Sequence, residues 1–367
     1  EVMVKSKYKT AIVGFYQITD SYNGASEVTK SLFECIKSKK KLFELKNPSL
    51  FKHESKFSNI INSYLIKPFK ILSLCLKVKK YFANNKKNFL IVEGASWIGF
   101  SFLFIIISKF LNPNVKVMYH GHNVEYEIRK MKNSKIIQVI TKYLEKKVFS
   151  ICDYATTVSN HDRGVIRKLY NINSIVFFNG ISKKRLNISK KKIYEKNYLI
   201  FSGNYFFQPN KIAIKNILKI LPKIHKLNAK IKILITGTNL PHKIRSHPHI
   251  IFKPKLKKEV LNLYLKKSIC SIMPLIDSPG TKLKVIENLL IGVVTIGTKH
   301  AFKGIELWKK NPPFVYKTEQ EIIKLLEKVL KNKNKLKKIA KKNSQFYVRK
   351  YLMENVKNNF IKNEFKF

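Results

Sequence analysis

Acidic residues are scarce in this chain. Four aspartates stand among its 367 residues, Asp20, Asp153, Asp162 and Asp277, and none lies within two positions of another. That excludes a DxD pair of the kind that grips a metal-bound diphosphate. Cysteines number four, Cys35, Cys75, Cys152 and Cys270, far apart and without CxxC or Cys/His zinc spacing. The expectation is reduced thiols in a cytosolic compartment. Glycines number 13 and form no GxGxxG, which weakens a dinucleotide-binding reading. No secretory signal with a small-residue cleavage site is read, and nothing is drawn from the first residue, Glu1. Long hydrophobic runs are missing too. The most apolar stretch, 98–107, continues to Leu111 through Ser108 and Lys109. A span needs about 20 residues, so this stretch is too short to cross a bilayer. It reads as a core helix, with a membrane-facing helix as the alternative.

What is abundant is positive charge. Lys and Arg total 73 against 22 Asp and Glu, a formal net charge of +51. Such a balance attracts anions: nucleic acid, an anionic membrane surface or phosphorylated substrates. The excess is mostly Lys and is spread along the chain, which is how a solvated surface looks. A dedicated nucleic-acid face is more often a local cluster rich in Arg. Hydrophobic residues make up 45% and aromatics 12%, enough for a real core.

Short β-branched runs alternate with helical patterns. Strands are expected at 10–16, 89–95, 115–121, 154–159 and 175–181, with helices at 26–40, 57–83, 97–111, 134–150 and 160–170. Continuous apolar strands separated by helices imply βαβ units and a parallel sheet covered on both faces. The polar, Lys-rich stretch 182–197 reads as an interdomain linker. The alternation restarts with strands at 198–204, 232–238, 249–254, 269–275 and 293–298, and helices at 209–228, 256–267 and 281–291. From Glu319 onward the pattern is helical and basic. The expected architecture is α/β, with two successive parallel-sheet domains. In such sheets ligands bind at the C-terminal strand ends, so a crevice between the domains is the expected site.

Three loops at strand ends carry chemistry. The stretch "IDSPGTKLKVIENLL" leads from a strand into a helix near Thr281. A helix start offers free N–H groups and a partial positive charge, which suits phosphate. Gly280 lets the backbone approach a ligand, Thr281 adds a hydroxyl, Lys282 and Lys284 supply charge, and Glu287 can accept ribose hydroxyls. The second loop, "YHGHNVEYE", crowds His120, His122, Asn123, Glu125 and Glu127 at one strand end. His-x-His with a nearby Glu is a possible zinc pattern, but HExxH is absent. A polar substrate site with His122 as hydrogen-bonding or proton-transfer group is the favoured reading. The third, "TDSYNGASEVTKSL", has an Asn23-Gly24 turn and Ser26 as a helix cap. "GVVTIGTK" resembles a P-loop superficially, but its Gly-Thr-Lys order and its place in a strand reject it.

With these segments in order, the chain resembles the retaining glycosyltransferases of family 4, of the GT-B fold. "NGASEVTKSL" is similar to the family's N-terminal glycine loop, and "HGHNVEYE" to its His-Asn-x-Glu segment. "YATTVSNHDRGVIRKLY" with "VFFNGIS" resembles the pair that leads into the linker. "FSGNYFFQPNKIAIKNIL" resembles the opening of the nucleotide domain, and "LYLKKSICSIMPLIDSPGTKLKVIENLLIGVVTIGT" the donor segment. The resemblance implies two Rossmann-like domains facing across a cleft: 1–183 for the acceptor, 184–345 for a nucleotide-sugar, and a helix at 346–367 packing back on the first. It implies donor contacts from Gly24, Gly203, Asn204, Lys211, Asp277, Gly280, Thr281, Lys282, Lys284 and Glu287. Acceptor contacts fall to Asn23, His120 and Asn123, and the catalytic roles to His122 and Glu125. The position eight before Glu287, often glutamate in the family, is Pro279 here, with Asp277 nearby. The family's Arg after "FxG" is Asn204, leaving Lys211 and Lys282 to supply that charge.

The implied reaction is retaining transfer from a UDP- or GDP-sugar to a glycan or lipid-linked glycan. No cofactor and no metal is expected, since lysines and amides can neutralise the departing diphosphate. The expected location is cytoplasmic and peripheral on the inner face of the membrane, with segment 97–111 and the basic helices of the first domain facing an anionic surface. No specific nucleic acid is expected. The rival readings are a nucleic-acid-binding α/β protein, unsupported by any RRM, KH or helix-turn-helix signature, and a two-domain nucleotide-sugar epimerase.

Overall fold

The computed structural model describes residues 8–19, 24–45, 67–276 and 280–364. The chain divides into two compact units, one of Glu1–Phe178 with Asn359–Phe367 and one of Asn179–Asn358. The sequence placed its boundaries at 183/184 and 345/346.

The first unit is built on a sheet of six strands: β1 (Lys9–Gly14), β2 (Lys40–Glu44), β3 (Asn88–Glu93), β4 (Lys116–Gly121), β5 (Tyr154–Thr157) and β6 (Ile175–Val176). All pairs are parallel, in the order β2-β1-β3-β4-β5-β6. Its helices are α1 (Gly24–Cys35), α2 (Lys67–Phe82), α3 (Ile98–Leu111), α4 (Glu125–Lys132), α5 (Lys135–Ile151) and α6 (Asn160–Tyr170). Strands β1, β3 and β4 are buried after their first residue, as apolar runs covered on both faces require. Their core includes Val13, Leu90, Val92, Val117 and Tyr119, with Phe104 and Val148 from the helices.

The second unit repeats the plan with β7 (Tyr198–Ser202), β8 (Lys232–Thr236), β9 (Ile250–Lys253), β10 (Ser271–Met273), β11 (Thr295–Thr298) and β12 (Phe314–Tyr316), in the order β12-β11-β10-β7-β8-β9. Its helices are α7 (Gln208–Leu227), α8 (His242–Arg245), α9 (Lys258–Lys267), α10 (Leu283–Ile291), α11 (Glu319–Lys331) and α12 (Lys333–Tyr351). A last helix, α13 (Met353–Glu364), ends the described chain. The fold class is therefore α/β as expected, two parallel six-stranded sheets with helices.

Several elements differ from the sequence reading. The helix expected at 26–40 starts at Gly24 and ends at Cys35, and the chain then forms β2, which was not expected. Ser26 accordingly lies inside the first turn and does not precede it. β2 reads "KKLFE" and β12 "FVY"; both are sheet edges, paired on one side only, so neither needs an apolar run. Residues 125–127, read as the end of the loop 119–127, open α4 (Glu125–Lys132). Its first N–H groups, Glu125 and Tyr126, donate to the buried Glu145 carboxylate at 2.6 and 3.2 Å. A carboxylate from another helix thus does the capping. The strand expected at 175–181 is only two residues long. The supposed linker holds a 3₁₀ turn, Lys183–Leu186. Part of the helix expected at 57–83 lies outside the described residues.

Between α12 and α13 the chain is pinned by Ile181, whose N–H donates to Tyr351 O at 2.8 Å while Met353 N–H donates to Ile181 O at 3.0 Å. Gly180 permits this approach: a Cβ there would lie 2.7 Å from Met353 Cα. Gly180→Val is expected to destabilise by about 2–3 kcal/mol, the cost of forced overpacking. Gly164, inside α6, meets nothing within 4 Å at the Cβ position. Gly164→Ala is expected to stabilise by about 0.5–1 kcal/mol. Urea unfolding midpoints of the two variants check both signs.

Candidate active site

In each sheet the chain reverses its direction of strand addition once. The first unit does so between β1 and β3, the second between β7 and β10. Loops leaving neighbouring strands part at such a point, and the crevice beyond their C-terminal ends is where ligands bind.

In the second unit, β7 ends in Ser202-Gly203-Asn204, and the loop after β10 leads to Gly280, Thr281 and α10. These ends are tied by one ammonium group. Lys284 Nζ, from the first turn of α10, donates to Ser202 O at 3.0 Å and to Asn210 Oδ1 at 2.8 Å. It also sits 4.4 Å from the centre of the Phe201 ring. Asn210 Nδ2 in turn donates to Asn204 O at 3.0 Å. Among the described residues no carboxylate pairs with Lys284. Burial, and then the neighbouring Lys282, push its pKa down from the ordinary Lys value to about 7.

The loop that leads into α10 immediately precedes that group. Gly280 has φ +66°, a left-handed turn that suits glycine. Thr281 Oγ1 is buried and makes no hydrogen bond among the described residues. Lys282 is 6% exposed and its ammonium reaches Gly280 O. No side chain caps the start of α10. Gly203 backs onto Asn210, and a Cβ at Gly237 would lie 2.0 Å from Gly203 O, so the two strand ends meet backbone to backbone. Asn204 Oδ1 accepts from Phe206 N at 3.0 Å and from Asn239 Nδ2 at 3.1 Å, which shapes the turn into α7. Lys211, in the first turn of α7, lies 5.8 Å from the Tyr205 ring centre.

Glu287 is nearly fully buried in α10. Its Oε1 accepts from Arg185 Nε at 3.0 Å and Nη2 at 2.6 Å, and its Oε2 from Lys258 Nζ at 2.6 Å. Burial would raise its pKa, but Lys258 and Arg185 outweigh burial and hold the carboxyl below its usual range. Arg185, in the 3₁₀ turn, and Lys258, at the start of α9, were missed by the sequence reading. Isolated cations in a Lys-rich chain give no signal; only the fold shows that they meet a carboxylate. Asp277 and Asn23 lie outside the described residues.

In the first unit, β3 and β4 pair Glu93 with His120, and His122 follows just beyond the strand end. All three are buried. His122 Nε2–H donates to Glu93 Oε2, which also accepts from Thr29 Oγ1 of α1 at 3.0 Å. Burial alone would raise the Glu93 pKa; the His122 hydrogen bond and the imidazoles at 122 and 120 bring it below the usual range instead. His120 Nδ1 lies 3.0 Å from Thr156 Oγ1, whose own proton goes to Tyr119 O. Nδ1 therefore donates, leaving Nε2 a buried acceptor with no partner among the described residues. Burial lowers the His120 pKa to about 4, so the ring is neutral at ordinary pH. The three side chains bring ligand atoms within 4.8 Å of one another and could hold a metal ion. The sequence reading saw His120 and His122 but sought a carboxylate downstream. The one that joins them is Glu93, a charge ending the apolar strand "FLIVE".

Glu125 opens α4 and is paired with Arg129, Nε to Oε1 at 2.7 Å. Burial raises its pKa and Arg129 partly offsets that. Asn123 is half-buried in the turn before α4, and Gly24 is exposed at the first residue of α1. A cavity of about 650 Å³ lies at the opposite end of the second sheet, near Val294, Phe314 and Leu336, and touches none of these residues.

Residues 196–332 match the sequence model of the family described as "Glycosyl transferases group 1". No curated protein matches the chain. Among solved structures, sucrose-phosphate synthase from Thermosynechococcus elongatus superposes with a TM-score of 0.72 at 10% identity, covering 97% of this chain and 98% of that one. HepE from Anabaena, solved in complex with UDP, gives 0.69 at 9% identity over 96% and 98%. A glycosyltransferase from Rickettsia africae gives 0.66 at 12% identity over 98% of both chains. At such identities the likeness speaks for fold: this chain has the GT-B fold of those structures, and its second unit carries the sequence pattern of the group 1 glycosyltransferases.

Proposed function

We propose that the protein is a glycosyltransferase that moves a sugar, with retention at the anomeric carbon, from a UDP- or GDP-sugar to a glycan or lipid-linked glycan. One observation carries the reading: the Lys284 ammonium, enclosed at the switch point of the second sheet with no carboxylate partner among the described residues. A diphosphate supplies the missing negative charge. The uncapped start of α10 adds N–H donors, Lys282 a second charge, and the unpartnered Thr281 hydroxyl a further donor. Glu287, kept ionised by Arg185 and Lys258, retains a lone pair on Oε2 for a ribose hydroxyl. The group 1 match over 196–332, and UDP and UDP-glucose bound by HepE, support this assignment of the second unit.

In the reaction the bond from the anomeric carbon to the diphosphate oxygen breaks and one to the acceptor oxygen forms. The acceptor's proton passes to the departing phosphate. Negative charge grows on the leaving group, where fixed ammonium and amide groups stabilise it most. No metal is required for that step. His122, its Nε2 committed to Glu93, keeps Nδ1 for a sugar hydroxyl and orients the transferred sugar. Gly24 and Lys211 complete the donor contacts, and His120, Asn123 and Glu125 belong to the acceptor side. The enzyme works in the cytoplasm, at the inner face of the membrane.

Calorimetric titration with UDP- and GDP-sugars is the direct test. Binding to at least one is expected, weakened about tenfold or more in Lys282→Met, the loss of one charge-assisted contact. Absence of heat with every sugar nucleotide overturns the reading. Turnover should survive a chelator, and the anomeric configuration of the product, read by NMR, tests retention. His122→Ala should lower kcat by about 100-fold, the scale of a lost proton-handling or orienting group, with nucleotide affinity nearly unchanged; an unchanged kcat removes His122 from the site.

Lys284 also sets a pH dependence. Its pKa of about 7 in the free protein must rise when a diphosphate binds, because an adjacent anion favours the charged form. Binding above neutral pH therefore takes up a proton, and affinity falls as pH climbs from about 7 to about 9, by at most roughly tenfold per pH unit. Titration in buffers of different ionisation enthalpy measures the uptake. A pH-independent affinity with no proton uptake contradicts the assignment.

A further inference from the structure

The helices α2, α3 and α5 of the first unit carry large apolar side chains on the wrong side. In α2, Phe69, Leu72 and Leu76 are exposed at helical spacing, Phe69 by 74%. In α3, Ile106 and Phe110 are exposed one turn apart, Phe110 by 82%. In α5, Ile136, Val139, Ile140 and Tyr143 fall at i, i+3, i+4 and i+7, all exposed. The opposite faces of the same helices are already used: Leu74, Phe104 and Val148 are in the core. α3 packs against both α2 and α5, so the three stripes belong to neighbouring helices. α3 is apolar nearly all round, a pattern of helices that meet hydrocarbon or protein on every side. Exposed apolar stripes on neighbouring helices mark an interaction site where they form one patch.

The charge on these helices selects the occupant. α2 and α3 contain no acidic residue, and the one acid of α5, Glu145, is fully buried and caps α4. Exposed lysines accompany the apolar stripes: Lys77 and Lys80 on α2, and Lys135, Lys142, Lys146 and Lys147 on α5. A second copy of the chain would set these lysines against themselves, because a two-fold interface is self-complementary. An anionic lipid surface instead accepts both parts, the apolar side chains at the acyl boundary and the ammonium groups among the headgroups. Crossing is not at issue: among the described residues no helix is long and apolar enough to cross a membrane.

We infer that the α2–α3–α5 face docks the protein in the plane of an anionic bilayer, with Phe69, Phe110 and Ile136 as inserted anchors. This gives the membrane location proposed above a specific surface. It extends the sequence expectation, which singled out only 97–111 and basic helices at large. The face rests on the first unit alone. Its test contains neither donor nor acceptor, so its failure and that of the transferase reading are separately visible.

The test is flotation of the purified full chain with phosphatidylcholine vesicles, with and without phosphatidylglycerol. Because the chain is basic throughout, charge alone could adsorb it, and the variants must separate insertion from adsorption. The triple variant Phe69→Ser/Phe110→Ser/Ile136→Ser removes the anchors and keeps every charge. Lys190→Gln/Lys191→Gln/Lys192→Gln removes three charges from the second unit. Wild type is expected to float with the anionic vesicles at least about tenfold more tightly than with phosphatidylcholine alone, in proportion to its surface charge. The serine triple should lose about tenfold or more of that affinity, consistent with lost apolar insertion, and the glutamine triple much less. Phe110→Trp, a milder change, should show a blue-shifted emission on adding anionic vesicles. The inference falls if wild type stays unbound, if the serine triple binds like wild type or loses no more than the glutamine triple, or if Phe110→Trp emission does not move. It falls equally if sedimentation shows a dimer that the serine triple abolishes while vesicles are ignored.

Discussion

A buried ammonium with no counter-anion among the described residues is the constraint on which the second unit turns. Lys284 leaves the first turn of α10 and closes on the carbonyl end of β7 and the side chain of Asn210. Neutral acceptors satisfy its hydrogen bonds but not its charge, which is why burial lowers its pKa so far. The same contacts hold three elements in register around the switch point: β7, α7 and α10. A group that ties the crevice together and lacks a negative partner among the described residues makes the crevice complementary to an anion. Lys282 beside it strengthens that demand, and Thr281 offers an unused hydroxyl.

Among the described residues the buried anions are few and already committed. Asp153 accepts from Val117 N, Lys116 and Lys109, joining β4 to the start of β5. Asp162 and Ser159 form a reciprocal cap on α6. Glu145 takes two N–H groups of α4 and the Tyr170 hydroxyl, although burial raises its pKa to about 7. Glu44 ties the loop after β1 through Ile18 N, Thr19 N and the Thr19 hydroxyl. Glu287 holds Arg185 and Lys258. With 22 carboxylates for 73 cationic side chains, one-to-one pairing would leave most lysines without a carboxylate, and the buried Glu93, Glu145 and Glu287 each organise more than one donor. The composition thus bears on both regions discussed above, the loop at α10 and the face of α2, α3 and α5.

The central strands were legible because a parallel sheet buried on both faces leaves unbroken apolar runs such as "TAIVG" and "YLIF". The edges β2 and β12 were not, since a strand covered on fewer sides has no such run to show. α4 was hidden for another reason: its N-terminus is stabilised by Glu145, twenty positions away, which no local pattern reveals. The site divides in the same way. Gly280 to Glu287 could be read because their spacing follows one helix start. Glu93, Arg185 and Lys258 could not, because only tertiary contacts bring them to His122 and Glu287. The apolar run of α3 was visible, but not that its neighbours α2 and α5 expose apolar stripes as well.

That division explains how a chain about 10% identical to its structural neighbours keeps their fold. The backbone requirement is loose: six apolar parallel strands per unit, one reversal of direction, and helices to cover both faces. Many side chains meet it, so little sequence is held in common. Chemistry asks for far less of the chain but sets narrower terms, because a charge must stand at the crevice and nowhere adjacent may neutralise it. Fold by itself implies no activity. What supports the proposed transfer from a nucleotide-sugar is instead the placing of one ammonium, one hydroxyl unpartnered among the described residues and one cation-held carboxylate, at the ends of β7 and β10 and in α10.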